Sequence, residues 1–441
     1  MIRHIIRSGA AALALALAGP GALQAQTTLS LQDVQQLAAK NYEAIQLAKS
    51  SVEQAQLLRK QAFSAVLPNV NVVGTYTRNL VSAEFDIGGG RTIQILPGND
   101  YNFGFNFSQP IYAGQRELRV LRQTEANIEA AGVSLGLTVQ DTVLNVTRAY
   151  YRVIGAAEYV AISKRALELV QATLRTSESL FRAGETVETA VLRSRVAVSN
   201  AARQLLDAEN NLVLAREQLR IFLGVEGPFD VTRPQPPAPP AGGLDDLIKE
   251  GLAGRSELRA LELQRRIAEL EVDKRKGAYL PTVKADGSVI QRRANFPSQR
   301  IGSIAINASW NVFNGFRTGA EVASAETTLR ETDLRRDLLR KQLENEIRTA
   351  FLRIQTFRAN VDTLTAQVDV ARRNADETGR AYKVGEATDL DILTANELLS
   401  RSERDLLEAT FSYELAMYDL QRAVGTFAAD LVAQAAPGGQ N

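Results

Sequence analysis

Few groups in this chain could do covalent chemistry. Its 441 residues contain no cysteine and one histidine, His4. A disulfide framework, a thiolate metal site and a cysteine-borne lipid anchor are therefore not expected. His4 falls in a segment that reads as an export signal, so the mature chain is expected to lack a histidine base or ligand. Carboxylates and hydroxyls are plentiful, but no nucleophile–base pair or metal-ligand spacing stands out. Gly88-Gly89-Gly90 lacks the lysine and helix that complete a phosphate loop. An enzyme, a metal and a cofactor are all unexpected. Two short turns carry acids, Glu185 and Glu188 in one and Asp389 and Asp391 in the other. By position alone, Asp389 and Asp391 suit the free N–H groups of a following helix. With 51 basic against 50 acidic residues, no net positive field favours nucleic acid.

The elements that carry these turns occur twice. Leu67-Pro68, Gly114, Ala149-Tyr150, Gly184 and Gly224 are answered by Leu280-Pro281, Gly315, Ala350-Phe351, Gly385 and Gly425. The last four landmarks are displaced by 201 residues and the Leu-Pro pair by 213, so the first copy carries 12 extra residues just after its proline. Each copy opens with an expected helix, about 31–66 and about 245–279, with Asp33 and Asp245-Asp246 near the starts. Each is stopped by its Leu-Pro, because proline cannot continue the hydrogen-bond ladder. A second helix runs between Gly114 and Gly184, and between Gly315 and Gly385, with no internal proline. At 1.5 Å per residue it is roughly 100 Å long, too long for a globular interior. The third helix, about 188–223, carries Val198, Leu205, Leu212 and Leu219 at heptad spacing, with Ala201, Ala208 and Ala215 between. Leu399, Leu406, Tyr413 and Leu420 repeat the seam, and small residues there permit close helix approach. The first and third helices, stacked, match the unbroken second, so Gly184 and Gly385 become tips of helical hairpins.

Between the helices lie alternating inserts. Ile304, Ile306, Ala308, Trp310 and Val312 alternate with Ser303, Ala305, Asn307, Ser309 and Asn311. Phe103, Phe105 and Phe107 alternate with Gly104, Asn106 and Ser108, on the register of the second copy. With upstream strands at about 69–79 and 282–291, each insert reads as a two-stranded hairpin (about 69–109 and 282–312) long enough for tilted membrane strands. Tyr112, Trp310 and Phe313 cluster where strand meets helix, the depth favoured by aromatic rings at a lipid–water interface. Four strands cannot close, and an open edge is not tolerated in hydrocarbon. Two chains would give eight strands and a filled barrel; three would give twelve and a channel. The expected organisation is a signal at 1–25, repeat one at 26–224, a Pro-rich connector at 225–244, repeat two at 245–426 and a tail at 427–441.

The duplicated Leu-Pro ends, Gln109-Pro110-Ile111-Tyr112-Ala113-Gly114, and the tips Phe181-Arg182-Ala183-Gly184-Glu185-Thr186 and Tyr382 to Leu393 resemble the TolC-like outer-membrane efflux family over essentially the whole mature chain. The resemblance implies a mainly α fold with transmembrane β: a homotrimer whose 12-stranded barrel in outer-membrane lipid continues as a coiled-coil tunnel through the periplasm. It implies a passive duct whose tips (Gly184, Glu185, Thr186, Gly385, Glu386, Ala387) meet a periplasmic adaptor coupled to an inner-membrane pump. Phe103, Phe105, Phe107, Ile304, Ile306 and Trp310 would face lipid. Asp391 matches the first acid of the family's constriction, while Thr394 stands at the second; Asp389 supplements the ring if it faces inward. Tyr382 matches a tyrosine that holds the closed tip, but the family's arginine position is Ala387 and its first-tip acid falls at Ala190. Glu185 or Glu188 could substitute, or the tip is held by other contacts. A duct for type I protein secretion and a poreless periplasmic scaffold are the alternatives.

Overall fold

A computed structural model describes residues 27–81, 83–96, 98–238, 242–293 and 299–435. The expected signal and the residues beyond 435 lie outside it. The chain runs β1 (Thr27–Leu29), α1 (Leu31–Asn41), α2 (Glu43–Ser64), β2 (Asn69–Arg78), β3 (Ala83–Asp86), β4 (Thr92–Leu96), β5 (Asn99–Ala113), α3 (Arg116–Ala183) and α4 (Glu188–Leu223). It continues with β6 (Phe229–Val231), α5 (Leu244–Gly254), α6 (Ser256–Lys276), β7 (Thr282–Arg293), β8 (Gln299–Ser309), α7 (Arg317–Lys383), α8 (Asp389–Val424) and α9 (Ala429–Ala435).

The long helices are unbroken: α3 has 68 residues and α7 has 67. Each starts from a left-handed pair, Gly114-Gln115 and Gly315-Phe316, which turns the chain sharply out of the sheet. Gly114 meets a second constraint. A Cβ there would lie 2.2 Å from the carbonyl oxygen of Gly277, in the single 3-10 turn that ends α6, so only glycine allows the two segments to touch. Gly315 has open space around it.

The opening helix of each repeat is not continuous. The helix expected over 31–66 breaks at Tyr42, and that expected over 245–279 breaks at Arg255; both residues are extended, with ψ of 130° and 121°. Their offset is the 213 of the Leu-Pro pair. Arg255 explains its own break. Its side chain is buried and donates to the carbonyls of Arg422 and Ala423 at 3.2 and 2.7 Å, satisfying acceptors that the end of α8 leaves open. The same guanidinium pairs with Glu257 and Glu346, and Arg422 pairs with Glu257 and Asp141. This chain of charges joins α3, α6, α7 and α8.

The main core gathers around the middle of α3, where Val139, Val143, Val146, Tyr150 and Tyr151 meet Val34, Ile45, Leu219 and Phe411. A smaller core joins Leu247, Ile347 and Leu420. Two features depart from the expected connector and tail. Within 225–244, β6 pairs in parallel with β1; Tyr150 donates to the Thr232 carbonyl at 2.5 Å and lies 3.0 Å from that of Leu29, pinning both strands. Within 427–441, α9 forms because Phe427 is buried edge-on against Tyr418, and Leu431 and Val432 pack on the core. Among the described residues, no helix is long and apolar enough to cross a membrane.

Candidate functional site

The strands form one four-stranded antiparallel sheet, in the order β2-β5-β7-β8, so the inserts of the two repeats join through β5 and β7. Its register sorts the side chains into two faces. Val70, Phe107 and Ile304 fall on one face, with Val72, Phe105 and Val289 in the next row. Phe103, Phe105, Phe107, Ile304 and Ile306 are all exposed there. The opposite face carries Asn71, Asn106, Ser288 and Ser303 in one row and Asn69, Ser108 and Asp286 in another. Ser108 and Asn307 donate to Asp286 at 2.7 and 2.6 Å. Two details differ from expectation. Trp310 falls one residue beyond β8, where its Nε1 donates to the Tyr279 carbonyl at 2.9 Å and ties the strand end to the end of α6. The first insert is also more than a hairpin: β3 and β4 extend it as a second ribbon, turned by Gly88, Gly89 and Gly90, all at positive φ.

At the other end of the helices, Gly184 and Gly385 adopt φ of 77° and 78° and reverse the chain. Glu185, Glu188 and Glu386 are exposed, while Thr186 and Ala387 are half-buried. Tyr382, on α7, is 4% exposed, whereas Phe181, its equivalent 201 residues earlier, is 45% exposed. The Tyr382 hydroxyl is bonded to Ser177 on α3 at 2.7 Å, and Ser177 to Ser194 on α4 at 3.0 Å, both serines being fully buried. Its partner is therefore Ser177, not Glu185 or Glu188. A serine on the facing helix needs no long side chain to reach a buried phenol.

Asp389 does not offer a spare carboxylate either. It is buried and accepts two hydrogen bonds from Arg193 on α4, at 2.7 and 2.9 Å. The hydrogen bond and charge of Asp389 hold the Arg193 guanidinium above its ordinary pKa. Asp391 is exposed and completes a capping box: its carboxylate accepts from the Thr388 hydroxyl at 2.7 Å and the Thr388 N–H at 2.9 Å. These bonds, the hydroxyl first, hold its pKa below the ordinary aspartate value. Thr394 is exposed three residues on, along the same helix. Ala190 is buried and Ala387 carries no group that could bond.

Ser177, Ser194 and Arg193 are the tip residues that the sequence did not single out. The duplication held one signal: the 201-residue offset pairs Asp389 with Glu188 and Arg193 with Thr394, so the acid recurs in both copies while the base stands in only one. Among the described residues, no three His, Cys, Asp or Glu side chains gather as a metal site.

This architecture has known counterparts. The Campylobacter jejuni CmeC outer membrane channel superposes with a TM-score of 0.78 at 20% identity, over 90% of this chain and 86% of that one. Outer membrane protein TolC of Escherichia coli is 21% identical over 440 residues, covering 94% of this chain and 85% of its own length. Outer membrane efflux protein BepC of Brucella suis is 22% identical over 374 residues, 82% and 80% of the two chains. Residues 34–225 and 247–426 match the profile of the outer membrane efflux proteins. The chain belongs to that family, and it serves as an outer-membrane channel and periplasmic duct for efflux.

Proposed function

We propose that three copies of this chain close a 12-stranded barrel in the outer membrane, continued by a helical tunnel whose tips are gated. The observation that carries the reading is the open sheet. Its edges, β2 and β8, have no partner in the described chain, and one face carries two successive rows free of polar side chains, Val70-Phe107-Gly287-Ile304 and Val72-Phe105-Val289-Gly302. Strand edges in hydrocarbon must be paired, so β2 of one copy meets β8 of the next. The helical part offers matching surfaces: Val196, Leu206 and Val213 are exposed on α4, and Leu334, Leu338 and Val370 on α7. In this reading Phe103, Phe105, Phe107, Ile304 and Ile306 face lipid, with Trp310 at its periplasmic boundary.

At the tip, Asp391 of each copy lines a ring that attracts cations, with Thr394 adding no second charge. Arg193–Asp389 and the Tyr382–Ser177–Ser194 chain are intramolecular locks that hold α7 and α8 against α3 and α4. The turns at Gly184, Glu185, Thr186, Gly385, Glu386 and Ala387 meet the periplasmic adaptor, which couples the duct to an inner-membrane pump. The chain contains no cysteine, so pairing can be tested cleanly. Val72→Cys combined in turn with cysteine at every position of β8 on the same face, 300, 302, 304, 306 and 308, should yield disulfide-linked trimers in at least one register. Monomers in every register would contradict the trimer.

A further inference from the structure

The polar face of the sheet contains an anomaly. One transverse row crosses all four strands as Val73, Gly104, Ile290 and Ile301. It lies between a row holding Thr75 and Asn102 and a row of Asn71, Asn106, Ser288 and Ser303. Val73 is 41% exposed and Ile301 50%. The lumen of a water-filled barrel is ordinarily polar, so a complete apolar row there is not explained by lipid contact. Nor is it a side product of core packing, since two of its members face open space. The neighbouring charges are spent on each other: Arg292 donates to the buried Asp100 carboxylate at 3.1 Å from Nε and 2.7 Å from Nη2. Gly104 lets β5 approach β7 closely, for a Cβ there would stand 2.4 Å from the Val289 carbonyl. The result is a hollow of about 470 Å³ with an apolar floor and flanks of Asn, Thr and the compensated ion pair.

We infer that this belt is a transit binding site for uncharged amphipathic cargo, the apolar body lying on Val73, Ile290 and Ile301 and its polar groups meeting Asn102, Asn106 and Thr75. A concave apolar surface with a few convergent hydrogen-bonding groups is the usual composition of a small-molecule site. The occupant follows from the location, because a luminal wall meets only water, ions and cargo, and the paired charges favour neither sign of ion. The inference rests on the trimeric barrel proposed above, in which each of the three copies contributes one such row to the lumen.

The test uses the purified full-length protein in detergent, N-acetyltryptophanamide as probe and N-acetylglycinamide as a control with the same amides and no apolar body. Saturation-transfer NMR should show contact with the indole protons and none with the control. The contact should fall at least about fivefold in Val73→Thr/Ile301→Thr, which keeps β-branched residues in both strands and removes apolar surface. Because the lipid-facing side is unchanged in that variant, detergent contributes equally to both. Particle mass is measured on the same samples. A trimer with no indole contact, or with contact unchanged in the variant, overturns the site alone; a monomer overturns the barrel and removes the site with it.

Discussion

At the residue scale, a few short contacts join the two helical hairpins near their tips, Tyr382 to Ser177 and Arg193 to Asp389. Tyr382 was legible from its resemblance, yet its bond to Ser177 was not. Whether a serine faces a neighbouring helix depends on the phase of three helices at once, and sequence alone supplies that phase poorly. The pairing of Arg193 with Asp389 was hidden for the same reason, 196 residues apart on α4 and α8. Arg193→Gln leaves the buried Asp389 carboxylate without its two charged donors, which costs more than losing an exposed pair. The variant should loosen the tip, seen as faster hydrogen exchange at 384–395 with the sheet unchanged; equal exchange would show that the pair holds nothing.

A second residue gives a pH signature. Burial alone would push the Glu271 carboxyl up, but donation from Gln123, Lys274 and Arg275 outweighs it and holds the pKa at about 2, against an ordinary 4.5. Because the folded value is depressed, the stabilisation is complete above pH 4.5 and is lost as pH falls towards 2. Glu271→Gln should lower the thermal midpoint at neutral pH and flatten its decline on acidification. A decline as steep as the parent's would rule out this origin.

At the element scale, length and punctuation were readable. Two long helices without proline and two glycine tips stand where the 201-residue offset put them. The breaks at Tyr42 and Arg255 were not readable, because neither residue is a helix breaker and the surrounding composition favours helix. They arise from tertiary demands, above all a guanidinium that must reach the end of α8. The helix α9 was missed because its stability comes from docking on α3 and α1, not from seven residues of propensity. The strand–helix corners carry a prediction. Gly315→Ala meets only a left-handed backbone and should cost about 1 kcal/mol. Gly114→Ala meets the same backbone and the Gly277 carbonyl besides, so its thermal midpoint should fall clearly further. Equal losses would mean that the Gly114–Gly277 contact is not close in solution.

At the scale of the whole molecule, duplication supplies two strand pairs and two long helical hairpins per chain, and the sheet they share is left open at both edges. The strand count already pointed to other copies, and the ladder identifies β2 and β8 as the edges left open in the described chain. What sequence could not give is which side chains join the two helical hairpins at their tips. Both contacts lie within one chain, between the hairpin of α3 and α4 and that of α7 and α8. In the gated reading proposed above, Asp391, exposed and bonded to the Thr388 hydroxyl, sets the sign of what passes. Asp391→Ala should lower cation selectivity, read as a smaller reversal potential in a salt gradient; no change would remove Asp391 from the constriction.

The most direct measurement is single-channel conductance of the purified protein in planar bilayers, compared with Arg193→Gln/Tyr382→Phe. A gated conduit predicts small, cation-selective openings for the parent and a several-fold larger conductance for the unlocked variant. Bilayers that stay silent with both proteins would contradict the account.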